Sequence, residues 1–278
     1  MLQLKNSKIA VPVVLFAGLI WSFGPLVVRY MNDPNLIPWQ YIFGRGLTIF
    51  ILLNLYLYFE EGKNFYKNYF KIGLSGLIGG SGLGIAMICF MFSITNTSAA
   101  ITLLCLAAMP FFTALLAFLF LREKISLNVW ISIIIASIGI GIMAVGTNTD
   151  TSFIGFVFGI TSSVGFSVFS VTLRWRKETP KFTTTAFAGF FCFTFATIVI
   201  LSNDYVFFST SYNSSLFSLH GTLVCLGLIL YSIGSKVIPA AELTLLSLTE
   251  VIGGIFWVWL PLFGINEVPD TNTIICLL

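Results

Sequence analysis

Charge is what this sequence has least of. Only 9% of its 278 residues are Asp, Glu, Lys or Arg, where a globular domain carries about a quarter. With 57% hydrophobic and 16% aromatic residues, that depletion indicates an integral membrane protein of many spans. Other absences narrow the chemistry. There is one histidine and no CxxC or HxxxH, so no zinc site is supported, and none of another metal. Cys89, Cys105, Cys192, Cys225 and Cys276 all fall inside apolar runs and read as buried small residues, not a disulfide framework. A net charge of +3 without a basic, aromatic-laced patch gives no case for nucleic acid. No GxxxxGK[ST] occurs, and GGSGLG at Gly79–Gly84 lacks dinucleotide spacing and lies inside an apolar span, so no cofactor is expected. The aspartates Asp33, Asp150, Asp204 and Asp270 are scattered singly in expected loops, without a DDxxD-type cluster.

What is present is a series of apolar runs, at approximately 9–30, 36–58, 71–94, 98–121, 127–146, 152–173, 182–202, 216–236 and 238–263. Lys5 and Lys8 precede the first run as in a signal peptide, but no small-residue cleavage site follows, so it reads as a retained span. A tenth run starts near Thr271 with too few residues to cross, and the chain is expected to be cut short there. The longest loops, Glu60–Tyr69 and Asn203–Ser215, are too small for a nucleotide-binding domain. With the N-terminus cytoplasmic, twelve of the fourteen Lys and Arg lie on the cytoplasmic side, leaving Arg29 at the other surface and Arg45 within a span. This positive-inside bias gives the orientation and supports the span count; the expected location is the cell membrane, inner or plasma, as a multi-pass protein. Gly76, Gly80 and Gly84, at i, i+4 and i+8, make a smooth face for close helix packing.

Two segments resemble one another. SAAITLLCLAAMPFFTALLAFLFLREKIS runs from Ser98, and PAAELTLLSLTEVIGGIFWVWLPLFGINEVPD from Pro239. Both open with Ala-Ala, carry a distinctive pair at the middle (Met109-Pro110 against Glu250-Val251) and end in a Glu near the membrane edge, Glu123 or Glu267. They occupy the fourth and ninth spans, so the unit is five helices. Five is odd, and the second unit therefore enters from the opposite side. The expected fold is all-α: a polytopic membrane helix bundle of two inverted five-helix repeats, 1–147 and 148–278, the second lacking most of its last helix. Such repeats are built around a site near the bilayer midplane.

The chain resembles the drug/metabolite transporter superfamily, specifically its EamA-type ten-helix exporters. The residues that carry the resemblance are WSFGPLVVRY, IPWQYIFGRG, LLCLAAMPFFTALLAFLFLREKIS, GFVFGITSSVGFSVFSVTLRWRK and AAELTLLSLTEVIGGIFWVW. Where such proteins commonly show Glu-Pro in the fourth and ninth spans, this chain keeps Pro110 in one and Glu250 in the other.

Candidate site residues follow from polar groups at mid-membrane depth, where a charge costs about 3 kcal/mol or more and marks function by default. Arg45 stands near the middle of the second span, too deep to snorkel, with Tyr41 and Thr48 on its face. It suits a substrate carboxylate or phosphate, or a clamp on Glu250 or on backbone carbonyls. Glu250 shares a face with Ser247, Gly253, Gly254 and Trp257. It suits a substrate ammonium or a coupling proton, or else simply neutralises Arg45. Trp21, Ser22 and Pro25 interrupt the first span, and Trp21 offers a stacking wall or ordinary aromatic packing. Glu242 is expected at the interface beside Lys236. The candidate cavity is thus Trp21, Ser22, Tyr41, Arg45, Ser247, Glu250 and Trp257, with no catalytic residue.

These features together point to a secondary-active transporter or exporter of small polar metabolites, amino-acid-like solutes or related, working by alternating access. The alternatives are a membrane-embedded enzyme on lipid-linked substrates, disfavoured by the scattered aspartates, and a receptor or structural membrane protein. The expected partners are a small-molecule substrate and the lipid bilayer, without nucleic acid; a homodimer stays open.

Overall fold

The structure, a computed structural model, describes residues 7–123, 126–127, 129–131, 134–135, 138, 152–176, 178–265 and 267–268. The expected fifth span falls largely outside these residues, and the run from Thr271 wholly so. Among the described residues every regular element is helical, and eight segments are long and apolar enough to cross a membrane. They begin with α1 (Ser7–Trp21) and α2 (Gly24–Arg29), two halves of one span, then α3 (Pro38–Glu61). Next come α4 (Gly73–Asn96) and the paired halves α5 (Ala99–Leu106) and α6 (Met109–Leu116). The later spans are α7 (Phe153–Trp175), α8 (Lys181–Ser202) and α9 (Ser211–Gly234), then the halves α10 (Ala240–Ser247) and α11 (Thr249–Trp259). The stretch expected as the loop Glu60–Tyr69 is instead mostly a 3-10 helix, Gly62–Lys71. It is strongly amphipathic, as a segment lying along the membrane surface would be.

Lipid supplies no hydrogen bonds, so a spanning segment must satisfy its own backbone or be sheltered by protein. Five of the eight crossings do so as single helices. The other three break near their middles. Pro25 and Pro110 sit in the first turns of α2 and α6. There the missing N–H has no partner to lose, so each proline starts a new helix more readily than it continues the old one. The third break, at Leu248, has no proline; Leu248 N–H donates to Leu245 O and Val251 N–H to Leu248 O, a tightened turn between α10 and α11.

Side-chain hydroxyls tie two of these breaks to neighbouring helices. On the unbroken helix α7, Ser163 Oγ donates to Cys105 O at 2.5 Å and Ser167 Oγ to Met109 O at 3.0 Å, bracketing the α5–α6 break. Thr249 Oγ1, at the α10–α11 break, donates to Leu15 O of α1 at 3.2 Å. The half-helices then pack in pairs, α5 against α11 and α6 against α10, so the fourth and ninth spans run antiparallel.

Behind them α4 is wedged between α7 and α8. Its glycines allow this. A methyl on Gly80 would come within 2.6 Å of Phe187 Cδ1 and 2.9 Å of the Thr184 carbonyl, both on α8. On the other side Gly82 meets Gly165 of α7 backbone to backbone. We expect Gly80→Leu to overpack this seam and lower stability by roughly 1–3 kcal/mol. Ile78→Ala on the same helix, at an exposed position, should change it by about 0.5 kcal/mol or less. Thermal unfolding in detergent reads both.

Candidate functional site

The three breaks meet at one place. Trp21 ends α1, Met109 begins α6 and Glu250 lies in the first turn of α11, and all three line a single cavity of about 70 Å³. Arg45 of α3 and His220 of α9 complete its polar lining; the rest is apolar and aromatic, with Met87, Phe90 and Phe166 among it.

Arg45 is 3% exposed, and a buried guanidinium must be held by acceptors. Its Nη1 donates to Tyr41 Oη at 2.9 Å, one turn back on the same helix, and its Nη2 donates to Met87 O of α4 at 2.7 Å. The cation also lies 4.9 Å from the centre of the Tyr41 ring, a favourable face-on placement. Tyr41 Oη stands 2.6 Å from His220 Nδ1. In the Nε2–H tautomer of His220, Tyr41 Oη donates to Nδ1 while accepting from Arg45, so that each of its bonds is complementary. Nε2 lies against Gly24, where a side chain would come within 2.7 Å of it. Arg45, Tyr41 and His220 thus form a relay from α3 to α9.

Glu250, on α11, lines the same cavity. No ion pair joins it to Arg45: the two charges face a shared space instead of each other. Arg45 is therefore held by a phenol and a carbonyl, not clamped on Glu250. Such an arrangement presents one cationic and one anionic anchor, separated by an aromatic and thioether lining.

Of the remaining candidates Trp21 lines the cavity, and Ser22, Tyr41, Ser247 and Trp257 stand outside its lining. Trp21 Nε1 donates to Val224 O, and its ring packs on Phe166 and Tyr231. Ser22 and Trp257 bond to one another, Trp257 Nε1 donating to Ser22 Oγ at 2.9 Å, with Trp257 stacked on Phe23. They brace the α1–α2 break beside the cavity. Ser247 Oγ donates to Thr244 O on its own helix and is fully buried. Tyr41 stands behind Arg45, and Thr48 bonds back to Gly44 O. Lys236, expected beside Glu242, lies over the Phe182 ring at 5.2 Å.

His220 is the functional candidate that sequence reasoning passed over. A lone histidine midway along an apolar span is, like any ionisable residue at that depth, a pointer to function.

Tyr41→Phe tests the relay. The change leaves one Arg45 donor and His220 Nδ1 without their shared partner, which should cost about 1–3 kcal/mol. A thermal midpoint equal to wild type would show that the phenol is dispensable to both.

Comparison with known proteins bears on this geometry. The family model described as the EamA-like transporter family matches residues 8–145. Two proteins named as uncharacterized transporters, from Helicobacter pylori strains J99 and 26695, are each 26% identical over 171 residues. The alignments cover 60% of this chain and 56% of each relative, so the chain matches little more than half the relatives' length. A solved crystal structure, 16% identical, superposes with a TM-score of 0.71 over 98% of this chain and 93% of its own. That likeness concerns the fold alone. The helices of the described residues, their apolar crossings and the family match agree: this is a multi-pass membrane protein whose residues 8–145 belong to the EamA-like transporter family.

Proposed function

We propose that the protein is a membrane transporter that moves small polar metabolites, amino-acid-like solutes among them, through the central cavity by alternating access. The observation that carries this reading is the position of the cavity. It lies where three broken helices meet, with Arg45 of α3 and Glu250 of α11 both lining it and not joined in an ion pair. Broken helices at a midplane site are how transporter folds expose backbone and charge to a solute without exposing them to lipid. An anion-binding guanidinium and a cation-binding carboxylate across one space match the two ends of a zwitterion, and Trp21, Phe90 and Phe166 match its apolar body.

The same reading takes residues 1–147 and 148–278 as two inverted repeats, the N-terminus as cytoplasmic and the location as a cell membrane. The EamA-like match over the first half and the two relatives named transporters support transport as the activity. The solute gradient or protons would drive it, with Glu250 the residue placed to carry a proton through the cavity.

Metabolite profiling of overproducing and deletion cells should reveal solutes whose distribution follows the protein. Vesicles containing the purified protein and a mixture of labelled amino acids then measure flux. Arg45→Ala and Glu250→Gln should each reduce flux by at least about tenfold, the loss of one charge-assisted contact. Lipid-facing Ile198→Ala should leave it unchanged. Equal flux for wild type, Arg45→Ala and Glu250→Gln would remove both residues from the site.

A further inference from the structure

The repeated Ala-Ala and Glu at the two ends of the fourth and ninth spans have no part in the cavity, yet the structure joins them. At one end of the bundle Glu267 pairs with Arg29, Nε to Oε2 at 2.8 Å, and its other oxygen accepts from Ala99 N at 2.7 Å. At the other end Glu123 pairs with Arg174, Nε to Oε1 at 2.7 Å, and its other oxygen accepts from Ala240 N at 3.2 Å.

Each glutamate closes the span that the other glutamate's helix faces. Glu267, past the end of α11, caps the N-terminus of α5; Glu123, past the end of α6, caps that of α10. A helix N-terminus has unsatisfied N–H groups and a partial positive charge, so a carboxylate there is doubly favoured. The arginines repeat the correspondence. Arg29, in the last turn of α2, donates through Nη1 to Ile94 O and through Nη2 to Thr97 O, at the end of α4. Arg174, in the last turn of α7, donates through Nη1 to Ser235 O and Ile238 O, at the end of α9. A left-handed residue turns the chain before each glutamate, Arg122 in one case and Gly264 in the other.

The two clusters stand at opposite membrane faces, because Ala99 and Glu123 begin and end one span, and Ala240 and Glu267 another. The cavity lies between them. Met109 and Glu250 are each about 15 Å of helix along from Ala99 and Ala240. The breaks at Ala107–Ala108 and Leu248 separate the half-helices tied at one face from those tied at the other.

We infer that Arg29–Glu267 and Arg174–Glu123 are the two gates of the central cavity, and that transport releases one while the other stays closed. Both are closed in this structure, and the cavity is correspondingly small. The inference rests on the transport reading for its purpose but on the clasp geometry for its parts. The four side chains are 21–25% exposed, so water reaches each clasp from its own side and can replace its bonds. Arg45, in the cavity, is only 3% exposed.

The test uses full-length protein in vesicles, with the five cysteines changed to alanine and a single reporter, Val224→Cys, on the cavity wall. A membrane-impermeant maleimide is applied from each side in turn. Glu267→Gln should raise the labelling rate at least about tenfold from the Arg29 side only, and Glu123→Gln likewise from the Arg174 side only, the effect of removing a charge-assisted pair. Should either variant fail to accumulate, Arg29→Lys or Arg174→Lys is read in its place, since each keeps the charge but loses the fork to the carbonyls.

Unchanged rates, or equal increases from both sides, overturn the gates. Loss of folded protein in all four variants does so too, because the clasps would then be structural pins. Labelling does not depend on flux, so the two readings separate. One-sided labelling without flux of any solute removes transport and keeps the gates. Flat labelling with Arg45-dependent flux does the reverse.

Discussion

A helix broken inside a bilayer leaves backbone groups that lipid cannot satisfy, and most of this molecule's internal architecture answers that constraint. Ser163 and Ser167 hold the carbonyls beside the α5–α6 break, Thr249 ties the α10–α11 break to α1, and Trp257 braces Ser22 at the α1–α2 break. Each depends on a close helix approach. The serines of α7 reach the broken span because α7 itself lies tight on α4, with Gly82 and Gly165 in backbone contact. The glycine-rich wedge, the serine rungs and the breaks are parts of one solution. Removing the wedge would unseat the rungs before it touched the cavity.

Charge follows the same logic. Arg45 is tolerable at its depth because Tyr41 and Met87 O accept from it, and Tyr41 can do so while donating because His220 receives its proton. A direct Arg45–Glu250 pair would have satisfied both charges more simply and left nothing for a ligand. Holding the guanidinium by a phenol and a carbonyl leaves Glu250 in the same cavity without an ion pair to it. The two ends of the bundle are built differently. There, fully paired arginine and glutamate meet helix N-termini, and every strong group is spent on closure.

Much of this was legible in the sequence, for identifiable reasons. Apolar runs in a bilayer protein are long and unambiguous, so the expected 71–94 and 152–173 lie within two residues of Gly73–Asn96 and Phe153–Trp175. Pro25 announced one break, and Pro110, noted only as half of a distinctive pair, marks a second. The third was not announced, because Leu248 sits among ordinary helix formers and its turn is imposed by packing. The segment after α3 read as a loop, since its polar residues hide an amphipathic 3-10 turn. Arg45, Glu250 and Trp21 could be placed at one depth by counting along their spans. Which of their neighbours faced the cavity could not, because Ser22 and Trp257 found each other and Ser247 found its own helix. The repeated Ala-Ala and Glu were visible as a pattern; that each Glu caps the other copy's Ala is a long-range contact that no local signal encodes.

The cavity's size carries a consequence of its own. About 70 Å³ has room for a few water molecules and not for an amino-acid-sized solute. Any such solute must therefore separate helices as it enters, and part of its contact energy goes into that separation. Its measured affinity is then weaker than its contacts with the site alone would give, by the fraction of time the protein spends open. The packing of the resting cavity thus sets part of the affinity, without any contact to the solute itself.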